Sequence, residues 1–274
     1  MSVASKPSPM MFMRDPQPSD GFEWTQAPWG AVLRCLPLHS VASHFFTAAT
    51  LYLRDDPSEW DRIAQFARVP RDRLRLLHQV HGDRVVTAVA ASADAVERPE
   101  ADAIISDDPS LVLVVRVADC APILIADRRL GVVAAVHAGW RSTMRRIAPS
   151  AIRALHERYG SRPQDLTVAI GPALGACCGE MGEEVVAAFV QAGHDPQSVD
   201  RWFRRASGRK PHFDLWRANV DQLEAAGVAR PGIHVSGLCT RTHAEVFHSY
   251  RASGTSAGRM AAVIRANPAG SRAV

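Results

Sequence analysis

The 274 residues include 47% apolar and 22% charged side chains, with a formal net charge of +4. This apolar share can bury a sizeable core, and the length fits one large domain or two small ones. No apolar run approaches the roughly 18 residues of a membrane span. The MMFM run at Met10–Met13 is too short for a signal-peptide core, so the expected location is cytoplasmic, with no membrane partner.

Lys6 and Lys210 are the only lysines, so nearly all the positive charge is arginine, a side chain suited to bidentate contact with phosphate or carboxylate. The densest basic cluster, Arg201–Lys210, lacks the spaced aromatics of a nucleic-acid platform and is expected as a solvated loop. No nucleic-acid partner is expected. Five cysteines, at 35, 120, 177, 178 and 239, form an odd set without secretory context and are read as thiols.

In chain order, Met1 to about Gly21 has no periodicity and reads as a tail, followed by one domain over residues 22–268 and a second tail over 269–274. Gly30–Leu36 and His44–Ala49 have strand composition. Asp56-Pro57-Ser58-Glu59 supplies a cap, a proline at the first helical position and an early acid, starting a helix to about Phe66. Leu74–Val80 and Arg84–Ala90 follow as strands around His78-Gln79-Val80-His81-Gly82. On extended chain, residues three apart point to opposite sides, so one of the two histidines reaches a common site, and Gly82 makes it His81.

Ala103–Ile105 and Leu111–Val117 are further strands, the second leading to Cys120. Ile123–Ala126, a turn over Asp127–Gly131 and Val132–Val136 then bring the chain back to His137. A thiol and an imidazole at one sheet end serve either a metal or a Cys–His nucleophile. A helical stripe runs from Met144 to Leu155, with a kink or restart at Pro149 and an N-terminal turn at Arg141–Thr143 that suits an anion.

Leu166–Ile170 is a strand before a glycine-rich turn, Gly171–Gly179, able to bring backbone close to a ligand. Glu183–Ala192 and Leu215–Ala226 are helices stopped by Gly193 and Gly227, with Asp214 as an N-cap. Ile233–Ser236, Phe247–Arg251 and Met260–Ile264 complete the strands. The order lacks strict βαβ alternation, so the expected class is α/β (α+β): mixed β-sheets packed together and covered by helices in a single domain.

QVHG at Gln79–Gly82, ADCAP at Ala118–Pro122, HAGWR at His137–Arg141 and IGP…CC at Ile170–Cys178 stand in one order with DLWRAN, Asp214–Asn219. GLCT at Gly237–Thr240, SYR at Ser249–Arg251 and GRMAAVI at Gly258–Ile264 complete the set. In these motifs the chain resembles the YfiH-like, laccase-domain family, also described as polyphenol oxidase-like, which includes bacterial purine nucleoside phosphorylases and peptidoglycan-editing factors. The resemblance implies Zn2+ held by His81, Cys120 and His137. It also implies phosphorolysis of purine nucleosides to free base and ribose 1-phosphate, with adenosine deamination as a second activity.

Arg141 is the leading residue for holding phosphate, with Arg251 and Arg259 behind it, and Asp119 is placed to orient a ligand. The chain departs from the family in a shortened N-terminal region, His44–Asp56, where Tyr52 stands near an expected Asn, and after the paired cysteines, where Gly179 replaces an aromatic. Competing readings are a metal-free hydrolase or amidase with Cys120 as nucleophile and His137 as base, and a catalytically silent zinc-binding member. A copper phenol oxidase needs clustered imidazoles, and the eleven histidines include no H-x-H pair. The sequence carries no signal for an oligomeric state.

Overall fold

The computed structural model describes residues 15–54, 56–90 and 98–267. In chain order the elements are β1 (Phe22–Ala27), β2 (Gly30–Cys35), α1 (Leu36–His39), β3 (Ala42–Thr47), α2 (Pro57–Phe66), β4 (Leu74–Arg75) and β5 (Val85–Thr87). They continue with β6 (Ala103–Ser106), β7 (Val112–Val117), β8 (Ala121–Asp127), β9 (Val133–Ala138), α3 (Trp140–Met144), α4 (Ile147–Tyr159) and β10 (Leu166–Ile170). The last part holds α5 (Glu183–Gln191), α6 (Pro196–Trp202), β11 (Phe203–Arg204), β12 (His212–Phe213), α7 (Leu215–Ala225), β13 (Ile233–Val235), α8 (Tyr250–Ser253) and β14 (Met260–Ala266).

Two mixed sheets, ordered β1-β2-β3-β14-β7-β4 and β13-β10-β8-β9-β6-β5, account for all but the small β11-β12 hairpin. Side-chain alternation along the strands builds the layers. Leu113, Val115 and Val117 of β7 pack with Leu124 and Ala126 of β8 between the sheets. Their sequence neighbours Val112 and Val114 turn outward to Trp60 and Ile63 of α2. Ile123 and Ile125 turn outward on the other side, toward Ile147, Ala151 and Leu155 of α4 and Leu223 of α7. The result is a helix, sheet, sheet, helix stack, in which both faces of the central strands are covered. This explains why those strands read as continuous apolar runs.

Local signals account for several boundaries. The Asp56 side chain accepts the Ser58 N–H to start α2, and Asp214 accepts the Arg217 N–H to start α7. The expected restart near Pro149 occurs at Arg146, which has φ +62° and precedes α4. Pro149 then sits in the first helical turn, where its missing N–H leaves no intrahelical bond unmade. Of the expected N-terminal tail, residues 1–14 lie outside the described residues, as does the C-terminal stretch 268–274. From residue 15 onward, the Ser19 N–H donates to the Ser236 carbonyl and the Trp24 indole N–H to the Pro16 carbonyl.

Two expected elements take another form. Phe247–Arg251 is a turn into the short α8 rather than a strand, because the Ser249 hydroxyl accepts the Ala252 N–H and caps a helical turn. Arg201–Lys210 is not wholly a solvated loop: Trp202 and Phe203 are buried, and β11 pairs with β12 in a small hairpin. No helix among the described residues is long and apolar enough to cross a membrane.

Candidate metal centre

The site forms where the chain passes from one sheet to the other. Cys120 lies in the turn joining β7 to β8, and His137 is on β9, paired with Pro122 of β8. His81 comes from the loop between β4 and β5. The metal-binding atoms of His81, Cys120 and His137 all lie within 4.8 Å of one another. The Cys120 Sγ to His81 Nε2 distance is 3.8 Å, and the two rings stand edge to face with centroids 4.9 Å apart. His78 is exposed at the cavity edge, 4.0 Å from Glu100, and stands outside the ligand group, so one histidine of the H-x-x-H pair joins it.

Asp102, fully buried ahead of β6, organises this group and went unnoticed in the sequence. One carboxylate oxygen accepts the His81 N–H (3.0 Å) and the His137 Nδ1–H (2.8 Å). The other accepts the Gly82 N–H (2.6 Å) and the Val80 N–H (3.3 Å). These bonds hold His81 at φ +59°. They also fix His137 with its Nε2 free to bind, the usual arrangement of a histidine ligand backed by a carboxylate. Burial works against the Asp102 anion, but its bonds to His137 and the Gly82 N–H hold its pKa below the usual carboxylate range.

The Cys120–His137 pair favours the charged thiolate. Burial by itself raises the thiol, but the His137 charge and hydrogen bonds outweigh it and bring Cys120 down to about 6. Burial likewise lowers His137, and the Cys120 charge and the Asp102 bond reverse this, raising it to about 9. Gly139 leaves the room: a Cβ there would lie 2.8 Å from Cys120 Sγ and 3.0 Å from His81 Cδ2. Two imidazoles and a thiolate in such a gap suit a borderline-soft transition metal, so the donor set fits a metal ion.

The group opens into a cavity of about 810 Å³, lined by Arg54, Arg116, Arg141, Arg251 and Arg259 among others. Among the described residues, no carboxylate lies within ion-pairing distance of Arg54, Arg141, Arg251 or Arg259. Arg141 sits on the first turn after Gly139, its guanidinium 4.2 Å from the Trp140 ring centroid. The helix it belongs to is only five residues long, so the cavity's positive character comes from side chains rather than a helix dipole. Arg54 had no sequence signal. Its guanidinium is aimed by bonds to the Ala257 and Thr255 carbonyls.

The remaining motif residues brace the cavity. The Gln79 side chain bonds both the carbonyl and the N–H of Arg116, at 2.7 and 2.8 Å. Asp119, at φ +85°, contacts neither ring: its carboxylate accepts the Thr240 hydroxyl (2.6 Å) and the Arg251 N–H (2.5 Å). The ligand-orienting role expected of Asp119 is thus filled by Asp102, and Asp119 ties GLCT and SYR to the site. The glycines of the 171–179 turn make room for protein: Gly171 packs on Phe46, Gly175 on Trp216 and Gly179 on the Phe213 carbonyl.

The sequence matches, over residues 54–267, the family described as multi-copper polyphenol oxidoreductase laccase. A purine nucleoside phosphorylase of Deinococcus radiodurans is 38% identical over 206 residues, covering 74% of each chain. One from Bacteroides thetaiotaomicron is 35% identical over 173 residues, which span 62% of this chain and 63% of that relative. A protein named adenosine deaminase RL5, from an unknown prokaryotic organism, is 35% identical over 197 residues, 70% of this chain and 73% of its own. The crystal structure of YlmD from Geobacillus stearothermophilus superposes with a TM-score of 0.80 at 29% identity, covering 89% of this chain and 99% of that one. With the fold and the sequence in agreement, the chain belongs to the laccase-like YfiH family.

Proposed function

We propose that the protein is a zinc-dependent purine nucleoside phosphorylase, converting adenosine or inosine and phosphate to free base and ribose 1-phosphate, with adenosine deamination as a secondary activity. The observation that carries the reading is the His81–Cys120–His137 group opening into a cavity rimmed by arginines, of which Arg141, Arg251 and Arg259 have no carboxylate within ion-pairing distance among the described residues. His81, Cys120 and His137 would hold the metal. In a tetrahedral zinc site with Zn–S about 2.3 Å and Zn–N about 2.05 Å, sulfur and nitrogen stand about 3.6 Å apart. Cys120 and His81 stand at 3.8 Å. When bound, zinc supplies Lewis acidity, polarising an oxygen of phosphate or water.

The chain's own groups do the rest. Arg141, with Arg251 and Arg259, holds the phosphate dianion by charge-assisted bonds and sets an oxygen against the anomeric carbon. Tyr250, half exposed at the rim, offers its ring to the purine face. As the C1′–O bond to HPO4 2− forms, the C1′–N bond breaks, its electron pair leaving with the purine, and the proton that HPO4 2− gives up on becoming the ribose 1-phosphate dianion ends on the purine. Asp102 keeps His137 in a single orientation throughout. All five cysteines are free thiols, which suits the reducing cytoplasm in which we place the enzyme.

A specific observation favours a second reading. Asp102, His137 and Cys120 form a chain like that of a cysteine hydrolase, with the carboxylate 2.8 Å from Nδ1 and the ring beside the thiolate. His81 separates the two, because a dyad does not require it and a metal does. Phenol oxidation by several coppers finds less support. Among the described residues, only the imidazoles of His81 and His137 gather with Cys120, too few for a multinuclear copper cluster. The test is purine release with and without phosphate, in wild type and His81→Ala. The proposal expects phosphate-dependent release that the substitution abolishes.

A further inference from the structure

A second cluster of metal-binding atoms lies outside the cavity. Cys177 and Cys178 come from the 171–182 connection, and Cys239 from the segment after β13; their three Sγ atoms lie within 4.8 Å of one another. Backbone bonds set the two segments side by side. Ala173 and Cys239 form a bridge, with the Thr240 N–H on the Ala173 carbonyl and the Ala173 N–H on the Leu238 carbonyl. The His212 ring bonds the Ala176 carbonyl and steadies the turn that presents the two adjacent thiols.

Hydrogen-bond donors stand beside Cys239 and Cys178, while burial and the neighbouring Cys239 push the Cys177 thiol up to about 11, so a metal there would displace its proton. The Gly175 N–H donates to Cys239 Sγ at 3.3 Å, and the Arg241 guanidinium reaches Cys178 Sγ at 3.9 Å. The Thr242 hydroxyl stands 3.4 Å from Cys177 Sγ and 3.5 Å from Cys178 Sγ, positioned as an oxygen donor. Cys177 is exposed, which leaves an entry path.

We infer that Cys177, Cys178 and Cys239 form a second metal site, for a thiophilic d10 cation of the Cu+ or Zn2+ kind, held by three thiolates with Thr242 beside the open position. Thiolate–metal bonds of about 2.3 Å place sulfurs about 3.8 Å apart in a tetrahedral site and about 4.0 Å apart in a trigonal one. The observed limit of 4.8 Å therefore closes with sulfur movements of under about 1 Å, within side-chain rotation. The set contains no imidazole or carboxylate, which excludes hard cations such as Mg2+ and Ca2+.

The position gives the ion a consequence. The two segments it would fasten together both hold Asp119, through the Leu174 N–H on its carbonyl and the Thr240 hydroxyl on its carboxylate. Leu174 also lines the arginine-rimmed cavity. A bound ion therefore braces the wall beside Cys120.

The test is anaerobic titration of reduced, metal-free, full-length protein, with Cu+ against a chromogenic chelator in one arm and Co2+ as a zinc stand-in in the other. Ions per chain and thiolate-to-metal charge-transfer absorption are read for wild type, Cys177→Ser, the Cys177→Ser/Cys178→Ser double variant and His81→Ala. Cys177 is exposed, so its single variant keeps the fold even if the double variant does not. The expected result is two ions per chain in wild type in at least one arm, one in the double variant, and weakened binding in Cys177→Ser. The arm that gives two identifies the metal. His81→Ala should retain the thiolate-rich ion, so failure of the zinc site and failure of the thiol site are distinguishable. One ion in wild type with absorption unchanged by either serine variant overturns the inference. So does a disulfide that forms among these cysteines in air while the reduced trio binds no ion.

Discussion

Replacing Asp102 by Asn removes a charge while keeping the shape, and the structure sets the size of the effect. The carboxylate receives four donors, two on each oxygen: the His81 N–H and His137 Nδ1–H on one, the Gly82 and Val80 N–H groups on the other. An Asn amide has a single acceptor atom, so two donors must face its NH2. At about 1.5–3 kcal/mol for each charge-assisted bond lost at a fully buried site, Asp102→Asn should cost about 3–6 kcal/mol of stability. Metal affinity should fall about 10–100-fold, because the His137 ring loses its orientation. The folded pKa of Asp102 is depressed, so its contribution is present above its unfolded value of about 3.9 and is lost as pH falls through the folded one. Urea unfolding at neutral and acid pH, with chelator competition for the metal, measures both effects. A variant with wild-type metal affinity and an unchanged stability difference across that range would refute the role given to Asp102.

Gly139→Ala places a methyl 2.8 Å from Cys120 Sγ and should lower metal affinity at least about tenfold with little change in fold, as read by metal content and circular dichroism. Arg141→Ala should raise KM for phosphate by about 10–100-fold while leaving KM for the nucleoside nearly unchanged, the loss of one to two charge-assisted contacts. His44 is buried and neutral, accepting the Cys35 N–H at 3.0 Å, and burial holds its pKa down to about 3. Its unfolded form takes up a proton below about 6.5, so stability should fall as pH drops, by up to ~1.4 kcal/mol per pH unit. Urea denaturation at pH 7 and pH 5 should show about 2 kcal/mol less of this loss in His44→Gln than in wild type. Equal losses would contradict the burial argument.

The parts of the site visible in the sequence were those carried by residue type and position together. Cys120, His81 and His137 follow or interrupt apolar runs, and in such places a thiol or an imidazole stands out. Asp102 was missed because one acid between strands looks like a turn residue. A signal was present: Ala101-Asp102-Ala103-Ile104-Ile105 is a run that the layers bury on both faces, and a buried acid requires a partner. The sheet stack followed from the unbroken apolar strands, whereas the pairing between sheets depends on contacts far apart in sequence. Asp195-Pro196 caps α6 as Asp56-Pro57 caps α2, and the same reading applied there would have found it. Ser249 likewise announced the turn that the apolar Phe247 disguised as a strand.

A site that cleaves nucleosides with phosphate at a bound metal must carry that metal and depend on that phosphate. Metal analysis of the purified protein, followed by incubation with inosine with and without phosphate, tests it most directly. Near-stoichiometric zinc bound through His81, Cys120 and His137 is expected, with hypoxanthine and ribose 1-phosphate formed only when phosphate is present. Protein whose metal-free form releases base as fast, or whose base release ignores phosphate, would contradict it.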